Sequence, residues 1–459
     1  MRRLTKLVLV AIASVAIAAP AYAQVARLAP QVAAETPVSL EQLERTALQN
    51  NPTVRQAAAS IDGAKGRARQ AGAWPNPTIG YEGAEISRGP IMRGGEHGIF
   101  ATQTVPLGGK LRLGRAIFES EASQAQSLAD LQQQRILSAV RTQYYDALTI
   151  ERRVEVLDRL AQLTSEAVGV TRQLFNVGAA DRPDVLEAEI EAQRAQLDLT
   201  AARNTRFAVW RRLAATVGDP TLTPRPLATS IDAAIPELDR DTSLRDILDR
   251  SPEVRAARAD IERNRAIVAR ARRETFPDLF LRGGLAYNRE LLESSAGGGA
   301  LRPVGREGSL EAGLSVPLFN RNQGAVAAAR AEQSRAEVEV SRLELSIESR
   351  LASLFDDYLT ALRAAETYRI ELLPRADEAY QLYFAKYREA AAAYPQVLIS
   401  RRTLFQLNAE YLAHLDVAWH SALRIQGFLV DEDGLAAPTR PGETLPVGAG
   451  PLLQGSMAR

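Results

Sequence analysis

An internal duplication constrains the fold of this chain more than any other feature. The segment at residues 51–57 (NPTVRQA) returns 200 residues later at residues 251–257 (SPEVRAA). Three further landmarks recur in the same order: 74–75 as 276–277, 105–107 as 316–318, and 175–186 as 387–398. Because the order is preserved, we expect two copies of one structural unit of about 200 residues.

Each copy contains a segment in which apolar and polar residues alternate. In the second copy, residues 279–287 place their leucines on one parity, and residues 309–316 repeat the alternation. A period of two is typical of a strand with one apolar face. We therefore predict β-hairpins within residues 78–107 and 278–318.

Helices are expected before and after each hairpin. Shorter ones, rich in Ala, Arg, Glu and Gln, precede the hairpins and are predicted at 39–72 and 242–274. Long ones follow the hairpins and return as antiparallel partners, predicted at about 113–175 with 183–216, and 324–389 with 395–429. A helix of some sixty residues is about 90–100 Å long, and Pro374 should kink the second one. Their sparse apolar residues suit a coiled-coil seam with solvated faces.

Composition excludes several classes of protein. The 459 residues include 56 basic and 55 acidic side chains and no cysteine. Thiol catalysis, iron–sulfur clusters, cysteine-ligated zinc and disulfides are therefore excluded, and the neutral charge argues against nucleic-acid binding. The three histidines and three methionines show no metal-ligand spacing, and no catalytic or phosphate-binding motif is present. The sequence predicts neither an enzyme nor a bound cofactor or metal.

The first 23 residues are interpreted as a secretory signal peptide. Arg2, Arg3 and Lys6 precede an apolar run at residues 7–19, and the small residues at 21–23 form a cleavage site. Without cysteine, no lipid-modified N-terminal cysteine is expected, so the exported protein is not predicted to be a lipoprotein. No later stretch reaches eighteen uninterrupted apolar residues, so membrane insertion would require a β-barrel.

One chain has too few strands to close such a barrel. Transmembrane strands of about nine to eleven residues form barrels of at least about eight strands, whereas one chain supplies four. The barrel must then be assembled from several copies, and the helical hairpins would extend from it as a tube of about 100 Å. A secreted protein of this shape would be a conduit across the periplasm.

The repeated order of helix, hairpin and long helical hairpin resembles the TolC-type outer-membrane factors. Residues 103–110 (QTVPLGGK) and 316–324 (VPLFNRNQG) are most similar to the CzcC-like branch, which is associated with heavy-metal efflux. The resemblance covers residues 39–430. It implies an α+β membrane protein, a homotrimer with a twelve-stranded transmembrane β-barrel continued by a long α-helical periplasmic barrel. It also implies a Gram-negative outer-membrane location and, as partners, outer-membrane lipid, a periplasmic adaptor and an RND inner-membrane pump.

The predicted organisation has five parts, in chain order. They are a signal peptide (1–23), an N-terminal segment (24–38), a first repeat (39–229), a second repeat (230–430) and a poorly ordered C-terminal tail (431–459).

Three groups of residues are candidate functional positions. Pro106, Gly108, Gly109 and Pro317 are predicted to form the bend between barrel and tunnel, with Asn320 and Asn322 capping the helix after the second bend. The family resemblance implies that the hairpin tips dock the adaptor, at Val177, Gly178, Ala390 and Ala391. Because the second tip lacks glycine, we expect a different turn there or an extended helix.

The third group is a predicted constriction beyond the first tip. In a threefold tube, inward-facing Asp181 and Asp184 would form carboxylate rings that attract cations, and the repeat places neutral Gln396 at the level of Asp184. Further acids follow on the same helix, at Glu187, Glu189 and Glu191. Arg401 and Arg402 on the returning helix are expected to pair with these or other acids and to hold the tunnel end shut. The alternative is a solvated helix face on which N-terminal acids complement the helix dipole.

The leading hypothesis is a passive outer-membrane exit duct for divalent heavy-metal cations. Two alternatives remain open at this level: the same duct serving multidrug efflux or type I secretion, and a soluble periplasmic coiled-coil scaffold. The sequence specifies neither the transported substrate nor the partner pump, and it does not distinguish an open from a closed resting state.

Overall fold

The computed structural model describes residues 37–86, 94–293 and 301–442, so the predicted signal peptide lies outside the described residues. The same element order occurs twice, except that the long helix of the second series is divided in two. The first series is α1 (Leu40–Asn50), α2 (Pro52–Ala71), β1 (Thr78–Ala84), β2 (Glu96–Val105), α3 (Lys110–Asn176) and α4 (Arg182–Val217). The second is α5 (Arg240–Arg250), α6 (Pro252–Arg273), β3 (Leu279–Glu293), β4 (Leu301–Leu314), α7 (Gln323–Thr367), α8 (Leu373–Arg388) and α9 (Tyr394–Gln426).

The helix that begins each series is broken once, where we had expected a continuous helix. Asn51 is extended and caps α2, because its Oδ1 accepts hydrogen bonds from the Thr53 amide at 3.0 Å and hydroxyl at 2.8 Å. Ser251 has the same place before α6, with its Oγ accepting from the Glu253 amide at 3.2 Å. Both caps precede a proline, and a residue before proline is disfavoured in the helical conformation. The prediction of single helices at 39–72 and 242–274 was therefore wrong in this detail.

The four strands form one antiparallel sheet in the order β1-β2-β3-β4, so the β2–β3 pairing joins the two hairpins. Tyr81, Ile99 and Leu285 lie side by side on one face. This face is apolar and open, with Ile79 76% and Leu310 86% exposed.

The opposite face of the sheet is more polar. Arg282 forms an ion pair there with Glu82, and its guanidinium carbon lies 4.3 Å from the centroid of the Phe100 ring. In a sheet with one apolar and one polar face, the apolar face is expected to contact an apolar environment and the polar face an aqueous one.

The long helices carry most of the chain. The 67 residues of α3 correspond to about 100 Å, and α4 returns along it. In the second series α7 and α8 are joined by a π-helical turn at Tyr368–Leu372, in which the Leu373 amide donates to the Tyr368 carbonyl. Pro374 follows directly and has no amide hydrogen of its own to donate, so the π turn lies where the sequence predicted a kink. No helix within residues 37–86, 94–293 and 301–442 is both long and apolar enough to cross a membrane.

The largest buried cluster ties α1, α3, α4 and α9 together. Tyr144, Trp210 and Leu213 are almost fully buried within it. The ring of Trp419 stacks on Tyr145 with centroids 4.1 Å apart, which fixes α9 against α3. Aromatic pairs of this kind add about 0.5–1.5 kcal/mol beyond the area that they bury.

The chain beyond α9 packs back onto this cluster over its described length. The carbonyl of Gly434 accepts from Asn51 Nδ2 at 3.0 Å, that of Ala436 accepts from Gln132 Nε2 at 3.1 Å, and Glu432 accepts from the Thr142 hydroxyl at 3.0 Å. We had expected a poorly ordered tail from residue 431, but residues 431–442 are held by buried and part-buried hydrogen bonds that sequence periodicity does not reveal. Residues 443–459 lie outside the described part.

Candidate functional site

The junction between β2 and α3 is held by a buried lysine. Gly108 and Gly109 both have positive φ angles, +69° and +72°, a conformation that glycine adopts without strain. This turn brings the Lys110 ammonium within 2.8 Å of Asp278 and 3.2 Å of Glu274, in the segment that leads into β3. The predicted bend therefore lies where the two series meet, and an ion pair that the sequence did not reveal fastens it.

The second junction has a different construction from the one we expected. Pro106 directly follows the last residue of β2, whereas Pro317 lies three residues beyond the end of β4. Asn322 precedes α7 in a left-handed conformation, and its side chain donates to the Ala271 carbonyl at 2.9 Å instead of capping the helix. The prediction of helix capping by Asn320 and Asn322 was wrong, because Asn320 Oδ1 accepts from the Asn322 amide and neither side chain reaches the first turn of α7.

The first hairpin tip is a Schellman turn. Gly178 has a φ of +76°, its amide donates to the Phe175 carbonyl at 3.0 Å, and the Ala179 amide donates to the Leu174 carbonyl at 2.8 Å. Val177 beside it is 76% exposed. The tip therefore presents an apolar side chain to its surroundings.

The second tip forms the same turn without glycine. Ala390 has a φ of +57°, its amide donates to the Tyr387 carbonyl at 3.0 Å, and the Ala391 amide donates to the Lys386 carbonyl at 2.9 Å. The expectation of a different turn or an extended helix was wrong. The two tips match in hydrogen bonding, and the second holds an alanine in a conformation that costs an L-residue about 1–2 kcal/mol.

This strain predicts that two substitutions, one at each tip, have opposite effects on stability. Replacing Ala390→Gly should stabilise the second tip by about 1 kcal/mol, and Gly178→Ala should destabilise the first by a similar amount. Open space surrounds the position where a Cβ would stand on Gly178, so the change isolates the backbone effect. Hydrogen exchange of tip amides should become about fivefold slower in the first variant and faster in the second. Equal exchange in both variants and in the unchanged protein would contradict the turn described here.

Asp181 and Asp184, the acids predicted to form the constriction, cap the N-terminus of α4. Asp184 Oδ2 accepts from the Asp181 amide at 3.3 Å, an arrangement of the capping-box kind. Asp181 is exposed and Asp184 partly exposed, and Gln396 is exposed at the start of α9. Neither aspartate is paired with Arg401 or Arg402 among the described contacts.

Both arginines instead bind Glu191, about two turns beyond Asp184 along α4. Arg401 Nη2 lies 3.1 Å from Glu191 Oε2, and Arg402 Nη2 lies 2.6 Å from Oε1. The side chain of Arg401 is only 2% exposed and that of Glu191 12%, whereas Arg402 is 53% exposed. The interaction joins α4 of the first helical hairpin to α9 of the second.

This environment shifts the pKa of Glu191. Burial raises the pKa of the carboxyl, but the hydrogen bond from Arg402 and the charges of Arg402, Arg401 and Arg194 together outweigh burial and lower the pKa below its ordinary value. Glu191 is therefore ionised at neutral pH, and it supplies the negative charge that the buried Arg401 guanidinium requires.

Two buried tyrosines, Tyr380 and Tyr394, lie beside Arg401 and are each 1% exposed. Tyr387 packs on Tyr394, with ring centroids 5.7 Å apart, and donates to the Thr171 hydroxyl at 3.0 Å. Burial raises the pKa of Tyr380 to about 12. The cluster is thus an apolar and aromatic pocket that holds one guanidinium and one carboxylate.

A signal for the Glu191 pair is present in the sequence. The buried positions of α4 include Ala188, Ala195 and Leu199, and Glu191 falls within that helical stripe. Arg401 falls in the same way between Leu398 and Leu404 on α9. A charged residue inside an apolar stripe requires a partner of opposite charge, so the two stripes together single out Glu191 among the acids expected to pair with Arg401.

Comparison with known proteins identifies the family. Residues 43–219 and 243–423 match the sequence model of the family described as outer membrane efflux protein. The chain belongs to the outer membrane efflux protein family. Members of this family and fold are outer membrane channel proteins and not enzymes, so the prediction that the chain is not an enzyme is confirmed.

Relatives extend over most of the chain. The cobalt-zinc-cadmium resistance protein CzcC of Cupriavidus metallidurans is 25% identical over 395 residues, which cover 86% of this chain and 90% of CzcC. The fold is similar to that of CusC, described in connection with transmembrane channel formation, with a TM-score of 0.71 at 16% identity over 85% of this chain and 92% of CusC. It is also similar to the outer membrane protein VceC of Vibrio cholerae, with a TM-score of 0.69 at 18% identity over 86% and 97% of the two chains. The resemblance to a CzcC-like outer-membrane factor is confirmed.

Proposed function

We propose that this protein is the exit channel of a tripartite RND efflux system and that it acts as a homotrimer in the Gram-negative outer membrane. One observation carries the proposal. The four strands form a sheet with one open apolar face, and β1 and β4 lie at its two edges. Edge strands with an exposed apolar face are unstable in water unless another chain or a lipid covers them.

Closure by other copies removes both edges. If β4 of one copy pairs with β1 of the next, three copies form a barrel of twelve strands, with the polar face of Glu82 and Arg282 lining its interior. The apolar face, including Ile79 and Leu310, then contacts outer-membrane lipid. This arrangement favours a membrane channel over the alternative of a soluble periplasmic scaffold, which would leave the apolar face in water.

The long helical hairpins then form the periplasmic tunnel, and their tips the end that docks the adaptor. Val177 and Gly178 at one tip, and Ala390 and Ala391 at the other, would offer two nearly equivalent turns to the helical hairpin of an adaptor. Their matched hydrogen bonding supports docking at both tips. Asp181, Asp184 and Gln396 lie next to these turns, and rings of the two aspartates would favour cations at the tunnel entrance.

Divalent heavy-metal cations are the proposed substrate class. The likeness to a protein named for cobalt, zinc and cadmium resistance supports this choice, since it extends over 90% of that protein. Multidrug efflux or type I secretion through the same channel is the second candidate. The helical tunnel and barrel suit either cargo, so selectivity would reside in the pump.

Susceptibility of a deletion strain tests the substrate class. Loss of this protein should lower the minimal inhibitory concentration of Co²⁺, Zn²⁺ or Cd²⁺, and a plasmid copy should restore it, because the exit route for the cations is closed without the channel. Hypersensitivity to organic drugs with unchanged metal resistance would support the second candidate instead. Unchanged resistance to both, with the partner pump expressed, would contradict an efflux role.

A further inference from the structure

A second cluster of ionisable side chains lies in the helical core, away from the hairpin tips. Asp146 belongs to α3, and Asp416 and His420 lie one turn apart on α9. One side-chain ligand atom from each residue lies within 4.8 Å of the other two. His420 Nε2 is 3.0 Å from Asp146 Oδ1 and 3.7 Å from Asp416 Oδ1.

These separations are close to the distances between neighbouring ligand atoms around a bound metal ion. Zinc binds imidazole nitrogen and carboxylate oxygen at about 2.0–2.2 Å, which places neighbouring ligand atoms of a tetrahedral site about 3.4 Å apart. The distances from His420 to the two carboxylates lie on either side of that value. A cation could therefore bind all three atoms after small side-chain adjustments.

One nitrogen of the imidazole, Nε2, is buried and faces the two carboxylates. Although Asp146 lies close by, His420 Nε2 makes no aligned hydrogen bond within the part of the chain that the structure describes. Three atoms that converge without hydrogen-bond alignment are arranged as ligands are around an ion. A neutral imidazole with two carboxylates is also a donor set that suits zinc and its neighbours, whereas calcium and magnesium prefer oxygen alone.

The surrounding charges favour a cation. The carboxylates of Asp146 and Asp416 face His420 from α3 and α9, and the carboxylate of Glu432 also acts on it. Arg424 Nε lies 3.6 Å from Glu432 Oε1. One arginine against three acids leaves the site with an excess of negative charge.

The ligands are also held in place by their neighbours. Thr149 donates its hydroxyl hydrogen to Asp416 Oδ1 at 2.9 Å, a contact of the kind that orients metal-binding carboxylates. The Tyr145–Trp419 stack involves the residues directly before Asp146 and His420 in the sequence. The backbone at both ligands is therefore fixed by the largest buried cluster.

We propose that Asp146, Asp416 and His420 bind one divalent transition-metal cation of the zinc class, with one nitrogen and two oxygen ligands from the protein. A fourth position is open to water. The ion joins α3 of the first series to α9 of the second, and it acts as a structural cross-link between the two helical hairpins. The site is resident in the core and does not depend on which cargo the channel exports.

Zinc binding to the full-length protein in detergent tests the site. After removal of metal with a chelator, calorimetric titration should give one Zn²⁺ per chain, with Mg²⁺ giving no binding at the same concentrations. His420→Gln and Asp416→Asn should each weaken Zn²⁺ binding at least tenfold. His414→Gln is the matched control, because His414 lies on the same helix but packs its ring on Tyr368, 5.4 Å between centroids.

X-ray absorption at the zinc edge gives a test that needs no variant. The unchanged protein should show a first shell of nitrogen and oxygen with a single imidazole. Absence of stoichiometric Zn²⁺ uptake would overturn the proposal, as would binding by His420→Gln equal to that of His414→Gln, or a first shell with two imidazoles. Because the assay measures binding and not transport, its result is separate from that of the susceptibility test.

Discussion

Replacing Glu191 with glutamine should destabilise the folded tip of the tunnel by about 3 kcal/mol. Among the described residues, Glu191 is the one carboxylate within ion-pair distance of Arg401, whose side chain is 2% exposed, and the change removes its charge. Breaking a buried pair from one side costs about 3–5 kcal/mol, because the remaining charge stays buried without a partner. We expect the lower end, since Glu191 keeps 12% exposure and Arg402 is already half in solvent.

Hydrogen exchange measured by mass spectrometry can localise this effect. Peptides from the start of α4 and of α9 should exchange about a hundredfold faster in the variant. The matched control is Glu189→Gln on the same helix, whose partner Arg172 is 61% exposed. An exposed pair contributes less than about 1 kcal/mol, so exchange in the control should change little. Equal effects of the two substitutions would show that Arg401 does not depend on Glu191.

Acid should reproduce the loosening in the unchanged protein. Since the pKa of Glu191 is lowered in the folded state, its contribution is fully present above the ordinary glutamate value and is lost as the pH falls through the lowered pKa. Exchange at the tip should therefore accelerate as the pH is lowered below 4.5, after correction for intrinsic rates. The Glu191→Gln variant should lack this additional acceleration.

Replacing Asn51 with alanine should cost at least about 3 kcal/mol, a comparable loss at the opposite end of the helical region. Asn51 is fully buried, caps α2, and donates from Nδ2 to the carbonyls of Thr216 at 2.9 Å and Gly434 at 3.0 Å. Alanine removes the cap, worth about 1 kcal/mol, and leaves two buried carbonyls without that donor, each costing about 1–3 kcal/mol. Limited proteolysis should then cut within residues 431–442 at protease concentrations that leave the unchanged protein intact.

The duplication supplies the control for this prediction. Ser251 occupies the equivalent position before α6 and is also fully buried, but within the described part of the chain its hydroxyl makes only the local hydrogen bond from the Glu253 amide. Ser251→Ala should cost about 1 kcal/mol and leave residues 431–442 protected. Equal protease sensitivity of the two variants would show that Asn51 does not hold the C-terminal segment.

The sequence predicted the larger features of the fold because they rest on periodicity and on proline and glycine placement. The period-two segments, the proline-free run after Lys110 and the left-handed position at Gly178 all have local causes. The four-stranded sheet and the long helical hairpins followed from them.

The details that the sequence did not predict depend on contacts between distant residues. Ala390 adopts a left-handed turn because α8 and α9 must meet there, which overrides the preference of alanine. The Asn322 side chain donates to the Ala271 carbonyl, 51 residues earlier in the chain, and therefore does not cap α7. Asp146 and His420 are 274 residues apart, so a search for histidine pairs did not find their cluster, although the spacing of Asp416 and His420 on one helix face was visible.

The central claim is that several copies of this chain together form one membrane channel. Conductance of the purified protein in a planar lipid bilayer, with the number of chains per particle determined by native mass spectrometry, tests it most directly. The expected result is a discrete channel formed by particles of three chains, each contributing the four strands of the sheet. A particle of one chain, or a protein that leaves the bilayer without conductance, would contradict the account.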